Sequence, residues 1–259
     1  MGAAFCGKPS RLSVGRESES RGLDPCRRHG RAWRAEGTGM VNTAAADPER
    51  LVLFGSFTSS SSYKPMLFLS LSGLPFSFRT VNLKTGMQRA PDYLAVNRHG
   101  QVPALRHRGL TVIQSNVILD YLARATGAFE ARTEQARWTA REWLSWEADA
   151  VTNIAKVRHY SRFRAVDPAV MAYFRPLAEG ALRFLDDALA DGRDWLAGEE
   201  APSIADIGCW GRMVFMAEGG LDIGDYPRLQ RWAQRLAALP GFALPYDLIP
   251  KKDAEFAGR

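Results

Sequence analysis

A chain of 259 residues, 46% of them hydrophobic, exceeds a single small α/β unit and accommodates two domains that share a large core. Its three cysteines, Cys6, Cys26 and Cys209, are odd in number and far apart, which excludes a disulfide framework or a four-ligand zinc site and points to a reducing, cytoplasmic compartment, while no apolar run nears the roughly 20 residues of a membrane span. The net charge of +6 resides mostly in the first 39 residues, where eight basic side chains meet four acidic ones, and the body has no basic stripe with interleaved aromatics of the kind a nucleic-acid partner needs.

Residues 1–48 are rich in Gly, Arg, Ser and Ala and almost devoid of large apolar side chains, so they cannot offset the entropy of ordering themselves and are expected to be disordered. A targeting peptide, a regulatory tail and translated sequence upstream of the true start all fit. Met40, just before the first strand signal, and four acids in a segment without an apolar core favour the last. Residues 51–54 read as a short buried strand that stops at Gly55. A helix is expected after the serine run, with Ser62 as its cap, Pro65 in its first turn, where a missing N–H costs little, and Gly73 at its end. Residues 76–81 alternate like a second strand, and 91–96 form a short second helix. Residues 103–105 and 110–113 flank a polar turn at Gly109, as the strands of a hairpin do. Ser115 opens a third helix over 115–125, with Val117, Ile118, Tyr121 and Leu122 at helical spacing and a stop at Gly127.

The order βαβαββα over residues 49–126 is a thioredoxin-like α/β domain: a parallel β-α-β unit, a hairpin and a covering helix. After a linker at 126–132 the strand signals vanish. Helical periods run near 133–164, 168–191, 203–219 and 227–239, so an all-α domain is expected over 133–245.

Three places in the first domain carry chemistry. The run Thr58-Ser59-Ser60-Ser61-Ser62-Tyr63-Lys64 leads into a helix whose first N–H groups and positive dipole end face outward, a setting for an anion. If that anion is a thiolate, a serine hydroxyl can donate to it and lower the thiol pKa from about 8.5; a shift of about two units needs only about 2.7 kcal/mol. A serine-rich loop with a plain helix cap fits the same residues. Next, Val102-Pro103 lies between a loop at 97–101 and a strand. A cis proline at this point of a thioredoxin-like fold leaves the backbone of Val102 free to pair with an extended peptide; an ordinary edge-strand proline is the alternative. Third, Gln114-Ser115 sits at a strand-to-helix junction whose free N–H groups suit a carboxylate, and Ser115 also reads as an N-cap.

A thiolate site, a backbone-pairing site and a carboxylate site along one sheet edge match the parts of glutathione. The motifs Asn97-x-x-Gly100-Gln101-Val102-Pro103-Ala104-Leu105 and Gln114-Ser115-Asn116-x-Ile118-x-x-Tyr121-Leu122 resemble the cytosolic glutathione S-transferase family, over roughly residues 51–242. Trp195-Leu196-Ala197-Gly198 before Pro202-Ser203-Ile204-Ala205-Asp206, and Pro227-x-Leu229-x-x-Trp232 with Pro240, extend the resemblance into the helical half. Ser203 and Asp206 there read as a capping-box variant.

The resemblance implies glutathione as co-substrate, no metal, and a homodimer. Ser59 matches the serine that activates the thiol in the serine-type classes. The segment from Ser59 is most similar to the Ser-Ser-Cys-Ser motif of the zeta class, with Ser61 in place of the cysteine, a departure that bears on the maleylacetoacetate isomerase activity associated with that class. Gln88 corresponds to a residue near the glycyl end of glutathione, Gln114 and Ser115 to those holding the γ-glutamyl group, and Ser61, Gln101, Val102 and Pro103 complete the binding set. A small electrophile would lie between the domains, against Trp143, Trp146, Tyr160 and Phe163 with Arg158 and Arg162, unless these aromatics are interdomain core. Thiol reduction through a mixed disulfide would require a cysteine near residue 59, where four serines stand. A non-catalytic member that kept the fold is a further alternative.

Overall fold

The computed structural model describes residues 49–258; the segment expected to be disordered, 1–48, lies outside them. The first half follows the expected order: β1 (Leu51–Gly55), α1 (Ser60–Ser72), β2 (Phe76–Thr80), α2 (Pro91–Leu94), β3 (Ala104–His107), β4 (Leu110–Ile113) and α3 (Ser115–Thr126). β1 pairs parallel with β2 and antiparallel with β3, and β3 pairs antiparallel with β4. Leu51, Leu53 and Phe54 of β1 are all buried, the uninterrupted apolar pattern of a strand covered on both faces.

A fifth strand, β5 (Ala254–Phe256), comes from the far end of the chain and pairs antiparallel with β2, giving the sheet order β4-β3-β1-β2-β5. The expected boundaries place no strand there, because three residues after a charged turn carry no periodic signal. Side-chain partners far away in sequence create it. Phe256 stacks on Phe76 at 4.3 Å between centroids, and the Glu255 carboxylate accepts from Arg50, Ser77 and Arg79. The pairing also covers the backbone edge of β2, which would otherwise be open.

The helical half contains α4 (Glu134–Trp146), a π-helical turn (Glu147–Val151), α5 (Thr152–Arg162), α6 (Pro168–Ala188), α7 (Ile204–Met213), α8 (Pro227–Ala237) and a short α9 (Pro245–Leu248). The helix expected to run unbroken over 133–164 is therefore widened at Glu147, whose side chain is fully buried. α7 packs against α1, α3 and α4. Its approach to α1 requires a residue without a side chain, since a Cβ on Gly211 would lie 2.5 Å from Cγ of Lys64. The expected capping box fixes the start of α7: the Ser203 hydroxyl accepts from the N–H of Ala205 at 3.2 Å, and the Asp206 carboxylate accepts from the N–H of Ser203 at 2.8 Å. Among the described residues no helix is long and apolar enough to cross a membrane.

Candidate active site

The serine loop turns tightly after β1, with the N–H of Ser59 donating to the carbonyl of Ser56 at 3.0 Å. Ser59 itself is the N-cap of α1, and its hydroxyl accepts from the N–H of Ser62 at 3.2 Å. The helix thus begins three residues before the expected start, and Pro65 is its sixth residue rather than part of its first turn. Ser62, expected to be the cap, is fully buried inside α1 and accepts from the N–H of Ser56 at 3.1 Å, which ties the loop back onto the helix. Four successive serines offer equivalent local caps, so tertiary burial of Ser62 decides among them. The cap bond uses a lone pair of Ser59 and leaves its proton for a ligand. Ser61 Oγ accepts from Nη1 of Arg212 at 2.9 Å. Tyr63, next in the helix, donates to the carbonyl of Ala243 at 2.8 Å, and burial pushes its phenol pKa up, so it is not the donor that faces an anion.

Strand register brings the other candidate residues to the same end of the sheet. Ala104 sits opposite Phe54 of β1 on one side and Ile113 of β4 on the other. Residues immediately after β1, immediately before β3 and immediately after β4 therefore lie side by side. The Val102-Pro103 bond is cis, which decides between the two readings of this proline, and neither the N–H nor the carbonyl of Val102 has a hydrogen-bond partner among the described residues. The preceding loop is held by Asn97 and Tyr93, which both donate to the carbonyl of Gln101 at 2.7 Å; the side chain of Gln101 is exposed. A Cβ on Gly100, at φ +58°, would meet the carbonyl oxygen of Gln88 at 2.9 Å, so glycine permits this close approach. Oε1 of Gln88 is buried without a partner among the described residues.

Gln114 adopts φ +71° and ψ 121°, an uncommon conformation for a residue with a side chain and one that clusters at ligand sites. It occupies the N-cap position, and no side chain caps α3. Ser115, expected to double as a cap, is instead the first helical residue. It is 7% exposed, and its hydroxyl forms no hydrogen bond with a described residue.

The aromatic set expected to face a second substrate divides in two. Trp143 and Trp146 pack on each other and on Phe184 of α6, and Tyr160 packs on Phe174, so these rings belong to the helical core and its surface. Arg158 reaches the serine loop: Nη1 donates to the carbonyl of Thr58 at 2.9 Å, Nε pairs with Glu218 at 2.8 Å, and the guanidinium lies 3.6 Å from the centroid of Phe215. Arg162 pairs with the same Glu218 at 3.2 Å, and Phe163 lies under Arg158. Sequence periodicity does not reveal Tyr246 of α9, whose ring lies between Phe57 and Phe215, tilted against both, and which donates to Glu218 at 2.7 Å. It comes from the chain end that returns over the first domain, a long-range contact without a local signal.

Beneath the loop lies a buried ionic network. Lys64 Nζ donates to Oε2 of Glu147 at 2.5 Å and to Oδ1 of Asn116 at 2.9 Å, and Nε of Arg212 donates to Oε1 of Glu147 at 2.6 Å. Burial raises the Glu147 pKa, but Lys64 and Arg212 together bring it below the ordinary glutamate value, while burial lowers Lys64 to about 8. Asp186, held by Leu229 and Arg228, and Glu218, held by Tyr246 and Arg158, are lowered in the same way despite burial. A carboxylate whose folded-state pKa lies below its unfolded value stabilises the fold fully above the unfolded value and loses that contribution as pH falls through the folded one. Asp206 opposes them, because burial raises its pKa and protonation then favours the folded state. With Asp191, Glu199 and Glu255 lowered as well, six carboxyl groups stand against one raised, and the melting temperature is expected to fall as pH drops below 4.5. Melting curves across the acid range test this, and a flat or rising midpoint would reverse the assignment.

The glutathione S-transferase N-terminal domain family matches residues 49–124, and the glutathione S-transferase C-terminal domain family matches residues 154–240. The chain belongs to the glutathione S-transferase family. It is 26% identical over 189 residues to the disulfide-bond oxidoreductase YfcG of Escherichia coli, covering 70% of this chain and 87% of that one. It is also 26% identical over 204 residues to human glutathione S-transferase theta-2, covering 75% and 83%. Among solved structures, a glutathione transferase family member from Pseudomonas fluorescens with two glutathione bound superposes with a TM-score of 0.69 at 25% identity, covering 77% of this chain and 93% of that one.

Proposed function

We propose that the protein is a cytoplasmic glutathione transferase that ionises the thiol of glutathione and presents the thiolate to a small electrophile. The carrying observation is the register Phe54–Ala104–Ile113, which brings the start of the serine loop, the open backbone of Val102 and the Gln114-Ser115 junction to one end of the sheet. In this reading Ser59 donates to the thiolate and shares the work with the positive end of α1. Val102, following Gln101 and preceding cis-Pro103, pairs with the peptide backbone of glutathione. Gln114 and Ser115 hold its γ-glutamyl carboxylate, and the side-chain amide of Gln88 donates through Nε2 to the glycyl carboxylate. The thiolate then attacks the electrophilic carbon, forming the C–S bond, with Phe57, Phe215 and Tyr246 as the apolar wall on the electrophile side. A homodimer belongs to the same reading, supported by the exposed Tyr173, Leu177 and Phe184 along α6.

The test is the ultraviolet thiolate absorbance of glutathione bound to the purified protein, titrated against pH. A bound thiol that ionises clearly below about 8.5 supports transfer. An unshifted thiol, or no binding, supports the non-catalytic alternative. The E. coli relative's name raises disulfide reduction as a second activity. The loop has no cysteine, and Cys209 is buried in α7 with its thiol pKa pushed up by burial, so a mixed disulfide with this protein is disfavoured. Ser115→Ala separates ligand binding from folding. Because Ser115 caps nothing, the variant is expected to melt like the parent and to bind glutathione about tenfold more weakly, the loss of one charge-assisted hydrogen bond of about 1.5 kcal/mol. Isothermal titration measures this, and unchanged affinity would remove Ser115 from the carboxylate site.

A further inference from the structure

We propose that Arg212, oriented by Glu147, is a positioning residue that makes Ser61 a second hydroxyl donor to the bound thiolate. The inference rests on the glutathione-activating reading of the serine loop and adds to it a residue from the helical domain. Ser61 Oγ accepts from Nη1 of Arg212 at 2.9 Å. A hydroxyl oxygen that accepts from a cation directs its own proton elsewhere and donates that proton more strongly, because charge-assisted and chained hydrogen bonds polarise one another. By contrast, Ser59 accepts only from a neutral backbone N–H.

The guanidinium is held in place by construction. Its Nε donates to Oε1 of Glu147 at 2.6 Å, and the other oxygen of Glu147 accepts from Lys64 at 2.5 Å and from Asn116 at 2.7 Å. Lys64 and Glu147 are fully buried. The charged or titratable groups facing Lys64 are Glu147, Arg212 and Cys209, so one carboxylate is set against two cations and the network carries a net positive charge beside the loop. An ion set with so much desolvation is a weak source of stability and a better means of fixing one geometry. Glu147 occupies the π-helical turn between α4 and α5, a local widening that often accompanies functional sites. Asn116 follows Ser115 in α3, so the same carboxylate also connects to the helix expected to hold the γ-glutamyl group.

The experiment is the thiolate titration of bound glutathione in the parent, Ser61→Ala, Arg212→Gln and the double variant. Each single substitution is expected to raise the bound thiol pKa by about one unit, a tenfold loss of thiolate well below both values. The double variant should shift no further than either single one, since Arg212 acts through Ser61. Arg212→Lys keeps the charge but not the forked donor geometry and should fall between parent and Arg212→Gln. It carries the test with Ser61→Ala if Arg212→Gln does not fold. A titration that is unmoved in Ser61→Ala, or shifts that add in the double variant, overturns the proposal. So does a change confined to melting temperature, which would make Arg212 an interdomain fastener. A parent protein that leaves the thiol unshifted removes the glutathione reading itself, and that outcome is distinguished by the parent curve alone.

Discussion

Ser59→Ala is expected to lower conjugation turnover about 10²-fold or more while changing glutathione affinity little, the result of removing one donor aimed at an anion that must be kept charged. Its oxygen is already engaged by the N–H of Ser62, so its proton is the part available to sulfur. The same substitution removes the cap of α1 and should cost about 1 kcal/mol of stability, a loss too small to unfold the domain. Measuring kcat and KM alongside the melting temperature separates the two effects. A lower melting temperature with unaltered kcat would leave Ser59 as a cap alone and move thiol activation to Ser60 or to the Arg212-backed Ser61.

The largest effect on folding should come from Asp206→Ala. This fully buried carboxylate accepts from the N–H of Leu196 at 2.9 Å, the N–H of Ser203 at 2.8 Å, the hydroxyl of Ser203 at 3.1 Å and Nε1 of Trp232 at 2.8 Å. Removing it leaves three buried N–H donors without a partner, each costing about 1–3 kcal/mol, so a loss of at least about 3 kcal/mol is expected. For a domain pair of this size that lowers the melting temperature by roughly 6–12 °C. Chemical denaturation gives the same quantity independently. A loss below about 1 kcal/mol would mean that water or rearranged loops satisfy those donors and that the capping box is dispensable. Asp206→Asn should be milder, because the amide keeps one acceptor oxygen while introducing donors that face other donors.

Much of the candidate site was legible because its signals are local. A proline before β3, a helix starting directly after β4 and a polar run after β1 are all readable from residue type and spacing, and each marks a place where the chain turns and leaves backbone groups unpaired. What stayed illegible depends on which of several equivalent residues is buried. Ser62 was the expected cap, but packing of α1 against the sheet and α7 seals it at the loop base, and Ser59 caps the helix instead. The helix starts at Ser115 as expected, but Gln114, at positive φ, takes the N-cap position, so Ser115 caps nothing and its hydroxyl stays open. The aromatic residues of α4 and α5 share a helical period, but the π-helical turn at Glu147 rotates the following segment. Trp143 and Trp146 consequently pack on α6 while Arg158 reaches Thr58.

The amino-acid sequence alone determined the βαβαββα order, the helical second half, the capping box at Ser203 and the three backbone-rich corners of the site, because period, turn residues and caps act within a few positions. Only the tertiary structure decided which serine caps α1, that β5 closes the edge of β2, and that Glu147 joins Lys64 to Arg212 beneath the serine loop. The last two rest on contacts between residues 65 to 205 positions apart, and the first on which side chain packing buries, so burial and electrostatic pairing choose among candidates that local propensity leaves equal.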